Sequence, residues 1–157
     1  MNTTKVLPPT YFYLSVIVMV LLYFLFPVLK VLPSPWNGIG VIFLLAGITL
    51  SLMGDVIFRR VGTTIKPYQE SSTLVTESIF RFSRNPIYLG YVLMLAGVTF
   101  LLESLTPFLV IPIFIILIEK HFIMTEEKML TAKFGQAYLD YKKTSQTLDI
   151  ITPGNGR

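Results

Sequence analysis

Residues 105–127 read LTPFLVIPIFIILIEKHFIMTEE, and this stretch decides the fold. From Leu105 to Ile118 it runs without a charge, but those residues make only about 21 Å of helix at 1.5 Å each. Crossing a hydrocarbon core of about 30 Å takes about 20 residues. A helix that spans here must carry Glu119, Lys120 and His121 in its last turns. A charge costs roughly 2.5–3.5 kcal/mol at mid-bilayer and less near the interface, so these three should face other helices or a wet cleft.

Three more apolar runs lie upstream. Working outward from the quoted stretch, the expected spans are residues 11–28, 38–58, 86–104 and 106–124. The fold class is therefore all-α: an integral membrane bundle of four transmembrane helices in one domain. Composition agrees, with 53% hydrophobic residues, 14% charged and a mean hydropathy of +0.66 across 157 residues. A soluble domain carries roughly 25% charged residues. There is no cysteine, which excludes disulfides and thiolate chemistry, and one histidine argues against a metal centre. The net charge of +4 reads as a topology signal, with no nucleic-acid partner implied. The first run follows only Lys5 and has no small-residue cleavage site, so it reads as a retained helix and not a signal peptide.

Basic residues set the orientation. The loop at 59–85 holds Arg59, Arg60, Lys66, Arg81 and Arg84, and the tail at 125–157 holds Lys128, Lys133, Lys142, Lys143 and Arg157. The other two loops hold Lys30 alone, which places both termini and the middle loop in the cytoplasm. A prokaryotic inner membrane fits this arrangement. Asn85 before Pro86 reads as an N-cap with proline at the first helical position, and Thr106-Pro107 repeats it. Pro112 should kink the fourth span. In the tail, Met129, Leu130, Phe134, Ala137, Tyr138 and Tyr141 recur at spacings of three and four, predicting a C-terminal amphipathic cytoplasmic helix over 125–141.

Alternating spans gather the ionisable groups at one membrane face. Asp55, Arg59 and Arg60 close the second span, Arg84, Asn85 and Tyr88 open the third, and Glu119, His121, Glu126 and Glu127 close the fourth. The short link between the last two spans predicts an antiparallel hairpin, which brings the Arg84–Tyr88 segment near Glu119–Glu127.

The residues in this cluster also form an ordered pattern. Leu74-Val75-Thr76 is followed by Phe80-Arg81-Phe82-Ser83-Arg84-Asn85-Pro86-Ile87-Tyr88-Leu89-Gly90, and then by Glu126-Glu127, Phe134-Gly135 and Tyr138 to Tyr141. With Gly62-Thr63-Thr64-Ile65 upstream, this resembles the isoprenylcysteine carboxyl methyltransferase and phospholipid N-methyltransferase superfamily, over roughly residues 59–143. The resemblance implies an S-adenosylmethionine-dependent methyltransferase with a lipophilic or lipid acceptor that enters from the membrane. It implies cofactor binding by Arg84, Asn85, Pro86, Tyr88, Gly90, His121, Glu126 and Glu127, with His121, Glu127 and Arg84 as catalytic candidates. The stricter family pattern has histidine where Asn85 stands, and many relatives have glycine at Ser78.

Elementary chemistry is compatible. A carboxylate can accept from a ribose diol or pair with an ammonium, and an arginine can hold a carboxylate through two bonds. Glu126 and Glu127 lie about 100° apart on a helix, so one should face a ligand while the other pairs with a basic residue. Plainer readings exist for each residue. Arg84-Asn85-Pro86 can be a helix start, Glu126-Glu127 a dipole match, and His121 an interfacial side chain. Tyr11, Tyr13 and Trp36 read as interface aromatics, and Gly47, Gly90 and Gly97 as close helix packing. Three rival functions remain open. They are a sterol-reductase-like NADPH enzyme, a small four-helix transporter, and a membrane scaffold.

Overall fold

A computed structural model describes residues 7–26, 34–62 and 72–145. Expectations for Lys30, Gly62-Thr63-Thr64-Ile65 beyond its first residue, Lys66 and the tail past Ser145 lie outside these. Helices form all the regular structure among the described residues: α1 (Pro8–Leu25), α2 (Ile39–Val61), α3 (Pro86–Leu101), α4 (Val110–Ile118), α5 (Met124–Phe134) and α6 (Gln136–Thr144). Short 3₁₀ turns at Trp36–Gly38, Ser78–Arg81 and Thr106–Leu109 lead into or toward helices. A π-helical turn, Glu119–Ile123, joins α4 to α5.

Three helical stretches are long and apolar enough to cross a membrane: Pro8–Leu25, Trp36–Val61 and the continuous Thr106–Phe134. The apolar helix α3 is shorter. Leucine, isoleucine and valine side chains stand exposed along α1 and α2, among them Leu14, Ile17, Leu21, Ile42, Leu45 and Leu52. A water-soluble domain would bury such a surface, whereas in a bilayer lipid tails cover it.

The tightest packing joins α2 to α3, and the cause is a heptad of glycines on each helix. A Cβ at Gly47 would stand 2.5 Å from the Gly90 carbonyl oxygen, and one at Gly40 would stand 2.6 Å from the Gly97 oxygen. Seven residues are nearly two helical turns, so both glycine pairs lie on one stripe, with Gly54 next along it against Ile87. The pairing runs antiparallel and brings the backbones together without intervening side chains, as small residues allow in lipid. On the other face of α3, Tyr88 and Leu95 pack with Met19 of α1 and with Val110, Phe114, Ile118, Phe122 and Ile123.

Local details differ from the sequence expectations. Asn85 flanks α3, yet its side chain makes no capping bond; its N–H instead donates to the Ser83 Oγ at 3.3 Å. Thr106 does not cap either, because its hydroxyl donates to the Phe26 carbonyl at 2.8 Å and ties the end of α1 to the 3₁₀ turn. Pro112 falls in the first turn of α4, where its missing N–H matters least, and the departure from α-geometry lies at Glu119–Ile123. The tail is two helices, since Gly135 (φ +52°, ψ −125°) takes a backbone conformation that side-chain-bearing residues avoid. Ser78 adopts φ +58°, a left-handed conformation that glycine occupies without strain.

Candidate functional site

The end of α2, the start of α3, the π turn, α5 and α6 meet at one end of the bundle, and the start of α1 joins them. Arg84 organises this end. Its Nε and Nη2 both donate to Glu127 Oε1, at 3.2 and 3.1 Å, while Nη1 donates to the carbonyls of Ser145 at 2.7 Å and Lys142 at 3.1 Å. The Arg84 side chain is 5% exposed. Lys142 Nζ donates to Glu127 Oε2 at 2.6 Å. One guanidinium thus ties the N-terminus of α3 to α5 and to the last turn of α6. Tyr141 adds a bond from its hydroxyl to the Phe80 carbonyl, at 2.6 Å.

Glu126 faces a different partner. The Tyr88 hydroxyl donates to its Oε1 at 2.6 Å, within the short range of charge-assisted bonds. The two adjacent carboxylates therefore divide their roles, as an offset of about 100° requires. The π turn lies immediately before α5, and Phe122 and Ile123 are buried within it. Turns of this kind are frequent at functional sites.

The remaining predicted residues are placed unequally. His121 is exposed on the π turn, with Nδ1 2.9 Å from the Leu117 carbonyl, to which it donates. Its ring lies 5.9 Å from that of Tyr11. Tyr11 is half-buried against Phe122, where an interface aromatic was expected. Pro86 is buried at the start of α3. Gly90 lies on the glycine stripe and is taken up by contact with Gly47 and Ser51 of α2. Asp55 pairs with Arg59 at 2.9 Å in an exposed i,i+4 bridge.

Two residues gain importance that spacing alone did not give them. Tyr138 is 1% exposed and lies beside Glu127. Burial pushes its phenol well above the ordinary value, and the Glu127 carboxylate adds to the rise. Lys142 completes the Glu127 pair. The amphipathic spacing pointed to an inward Tyr138 but gave no sign of its partner.

The raised Tyr138 phenol has a consequence for stability. An unfolded tyrosine loses its proton near pH 10, whereas this one holds it to higher pH. Its contribution is complete below about pH 10 and is lost as pH climbs toward the folded value. Thermal unfolding in a pH series should show stability falling above about pH 10, with a shallower fall in Tyr138→Phe.

An all-helical bundle with apolar spans and a polar cluster at one end defines the class: a helical integral membrane protein. More particularly, the chain belongs to the phospholipid methyltransferase family, whose pattern matches residues 36–137. The fold is also that of a solved eukaryotic intramembrane Ras methyltransferase, isoprenylcysteine carboxyl methyltransferase, with a TM-score of 0.68 at 23% identity. That likeness covers 96% of this chain and 54% of the other, so the chain spans about half the length of that enzyme. No curated protein is similar enough in sequence to count as a relative.

Proposed function

We propose that the protein is an S-adenosylmethionine-dependent methyltransferase acting on a lipophilic acceptor at the cytoplasmic edge of the membrane. In this reading α3 completes a set of four spans, both termini are cytoplasmic, α5 and α6 lie at the membrane surface, and the membrane is a prokaryotic inner one. The observation that carries the proposal is the paired arrangement Tyr88–Glu126 beside Arg84–Glu127 at one end of apolar helices. Family membership supports it.

The donor set suits the cofactor. Glu126 is the carboxylate for its diol or ammonium, because Glu127 is engaged by Arg84 and Lys142. Tyr88 aims Glu126, and Asn85 and Pro86 fix where Tyr88 begins its turn of helix. Gly90 supports the site from behind, through α2. When bound, S-adenosylmethionine supplies an electrophilic methyl: its carbon–sulfur bond breaks as the acceptor's lone pair bonds to carbon, and the sulfonium leaves as a thioether. No protein nucleophile is required, as suits a chain without cysteine. Where the acceptor starts protonated, His121 Nε2 or Glu126 takes the proton. Alignment of the acceptor contributes much of the rate, and rigid helices provide it.

The test uses purified protein in nanodiscs with methyl-labelled S-adenosylmethionine and membrane lipid extract. Label should enter the lipid fraction, and Tyr88→Phe should slow it by about 10- to 100-fold, the kinetic equivalent of one hydrogen bond to a charged group. Equal rates for both proteins would remove Tyr88–Glu126 from the site. The charges cluster at one end, and the first span carries none, which disfavours a transporter.

A further inference from the structure

Five aromatic rings form a chain of contacts beside the Tyr88–Glu126 pair. Tyr11 meets Phe122 edge to face at 5.4 Å, and Phe122 lies 6.4 Å from Tyr88. Tyr88 lies 6.5 Å from Tyr91, which stacks on Phe12 at 5.0 Å. Both ends of this chain of rings, Tyr11 and Phe12, come from adjacent positions of α1.

The two α1 rings differ from the others in origin and placement. They precede the family match, which begins at residue 36, while Tyr88, Tyr91 and Phe122 fall inside it. Both are half-buried and turned toward the bundle, whereas the next residue, Tyr13, is 65% exposed. Beyond them α1 presents Leu14, Ile17 and Leu21 to the lipid. Elsewhere α6 is held against the site by Arg84 and Lys142. An acceptor dissolved in the bilayer thus meets the α1 flank first. There Tyr11 adjoins His121, and Phe122 and Tyr91 lie between the two α1 rings and Tyr88.

We infer that Tyr11 and Phe12 form the acceptor-selecting wall of the site, past which the reacting head reaches Glu126 and His121, and that their bulk limits its size. The inference rests on the methyltransferase reading. Aromatic rings suit the role because they are large, apolar and stiff, and so hold a shape that a flexible chain would not. Within one family, residues outside the common region are free to set the acceptor while the cofactor side stays fixed.

Tyr11→Ala, Phe12→Ala and Phe12→Leu test this in nanodiscs. Calorimetry with S-adenosylhomocysteine comes first, and affinity should stay within about twofold of wild type. Transfer is then measured to dodecyl amine, thiol and carboxylate, each offered unbranched and branched at the carbon bearing the reacting group. The ratio of branched to unbranched transfer should rise about tenfold or more in the alanine variants, the scale on which pockets discriminate one carbon. Phe12→Leu keeps apolar volume and should shift the ratio less; it carries the test should an alanine variant not fold. An unchanged ratio with S-adenosylhomocysteine binding intact overturns the wall alone. So does wild type that binds S-adenosylhomocysteine but methylates none of these acceptors. Wild type that does not bind S-adenosylhomocysteine refutes the methyltransferase reading, and the wall with it.

Discussion

Gly90→Val is expected to leave little folded protein. A Cβ at this position would meet the Gly47 carbonyl oxygen at 2.6 Å, the Ser51 N at 3.1 Å and the Ser51 hydroxyl closer still. Two of these neighbours are backbone atoms of α2 and cannot rotate away. The helices must separate, and the contact between Gly40 and Gly97, on the same stripe, loosens with them. Overpacking a core by a few carbons costs about 1–3 kcal/mol where side chains can adjust. Here they cannot, and about 3 kcal/mol or more is expected, read as a lowered melting temperature and aggregation on size exclusion. Gly38→Ala is the control, since nothing lies within 4 Å of its Cβ position, and it should stay within about 0.5 kcal/mol of wild type. A Gly90→Val variant that melts like wild type would contradict the close α2–α3 contact. Loss of ligand binding in this variant reports α3 moving, not a lost contact to a ligand.

Glu127→Ala should be nearly as damaging, for an electrostatic reason. It removes both oxygens that hold Arg84 and Lys142, leaving a guanidinium only 5% exposed without its carboxylate. Breaking a buried pair costs about 3–5 kcal/mol, because the remaining charge keeps its desolvation penalty. Glu127 is itself 17% exposed and Lys142 41%, so about 3 kcal/mol is the expected loss. The damage should centre on α6, seen as faster hydrogen exchange through Gln136–Thr144 than in wild type. Glu127→Gln keeps one acceptor and should lose about half as much. By contrast, Asp55→Asn breaks only an exposed i,i+4 bridge and should cost under about 0.5 kcal/mol. Equal stability of Glu127→Ala and Asp55→Asn would show that Glu127 does not anchor Arg84.

Much of this architecture is legible in the sequence because lipid imposes strict periods and lengths. The short fourth run forces Glu119 to His121 into the helix, and that helix does continue unbroken from Thr106 to Phe134. Gly47, Gly90 and Gly97 can be read as packing residues from their type, whereas their pairing across α2 and α3, with Gly40, is visible only in the structure. The cluster came from alternation alone, and Arg84 does meet Glu127.

Other features were hidden because they depend on three-dimensional alternatives. Asn85 and Thr106 have the chemistry of N-caps, but the Asn85 side chain makes no capping bond and the Thr106 hydroxyl goes to the end of α1. Phe134-Gly135 looked like a continuing helix because the surrounding spacing is helical. The break arises from what Gly135 permits and from Arg84 drawing in the carbonyls of Lys142 and Ser145. The π turn leaves no mark in composition. Only the adjacency of Glu126 and Glu127 hinted that two carboxylates would face different ways. Gly90 was grouped with the site because it closes the Arg84–Gly90 motif, although it stands on the far side of α3 from Tyr88.

The central claim is that the paired carboxylates serve an S-adenosylmethionine site, and calorimetric titration of detergent-solubilised protein with S-adenosylhomocysteine tests it most directly. NADPH serves as the control ligand, and Glu126→Ala, which leaves Glu127 on Arg84 and Lys142, as the control protein. Saturable binding of S-adenosylhomocysteine to wild type is expected, with none to folded Glu126→Ala and none of NADPH to either. Saturable NADPH binding, or silence toward both ligands from folded wild-type protein, would contradict it.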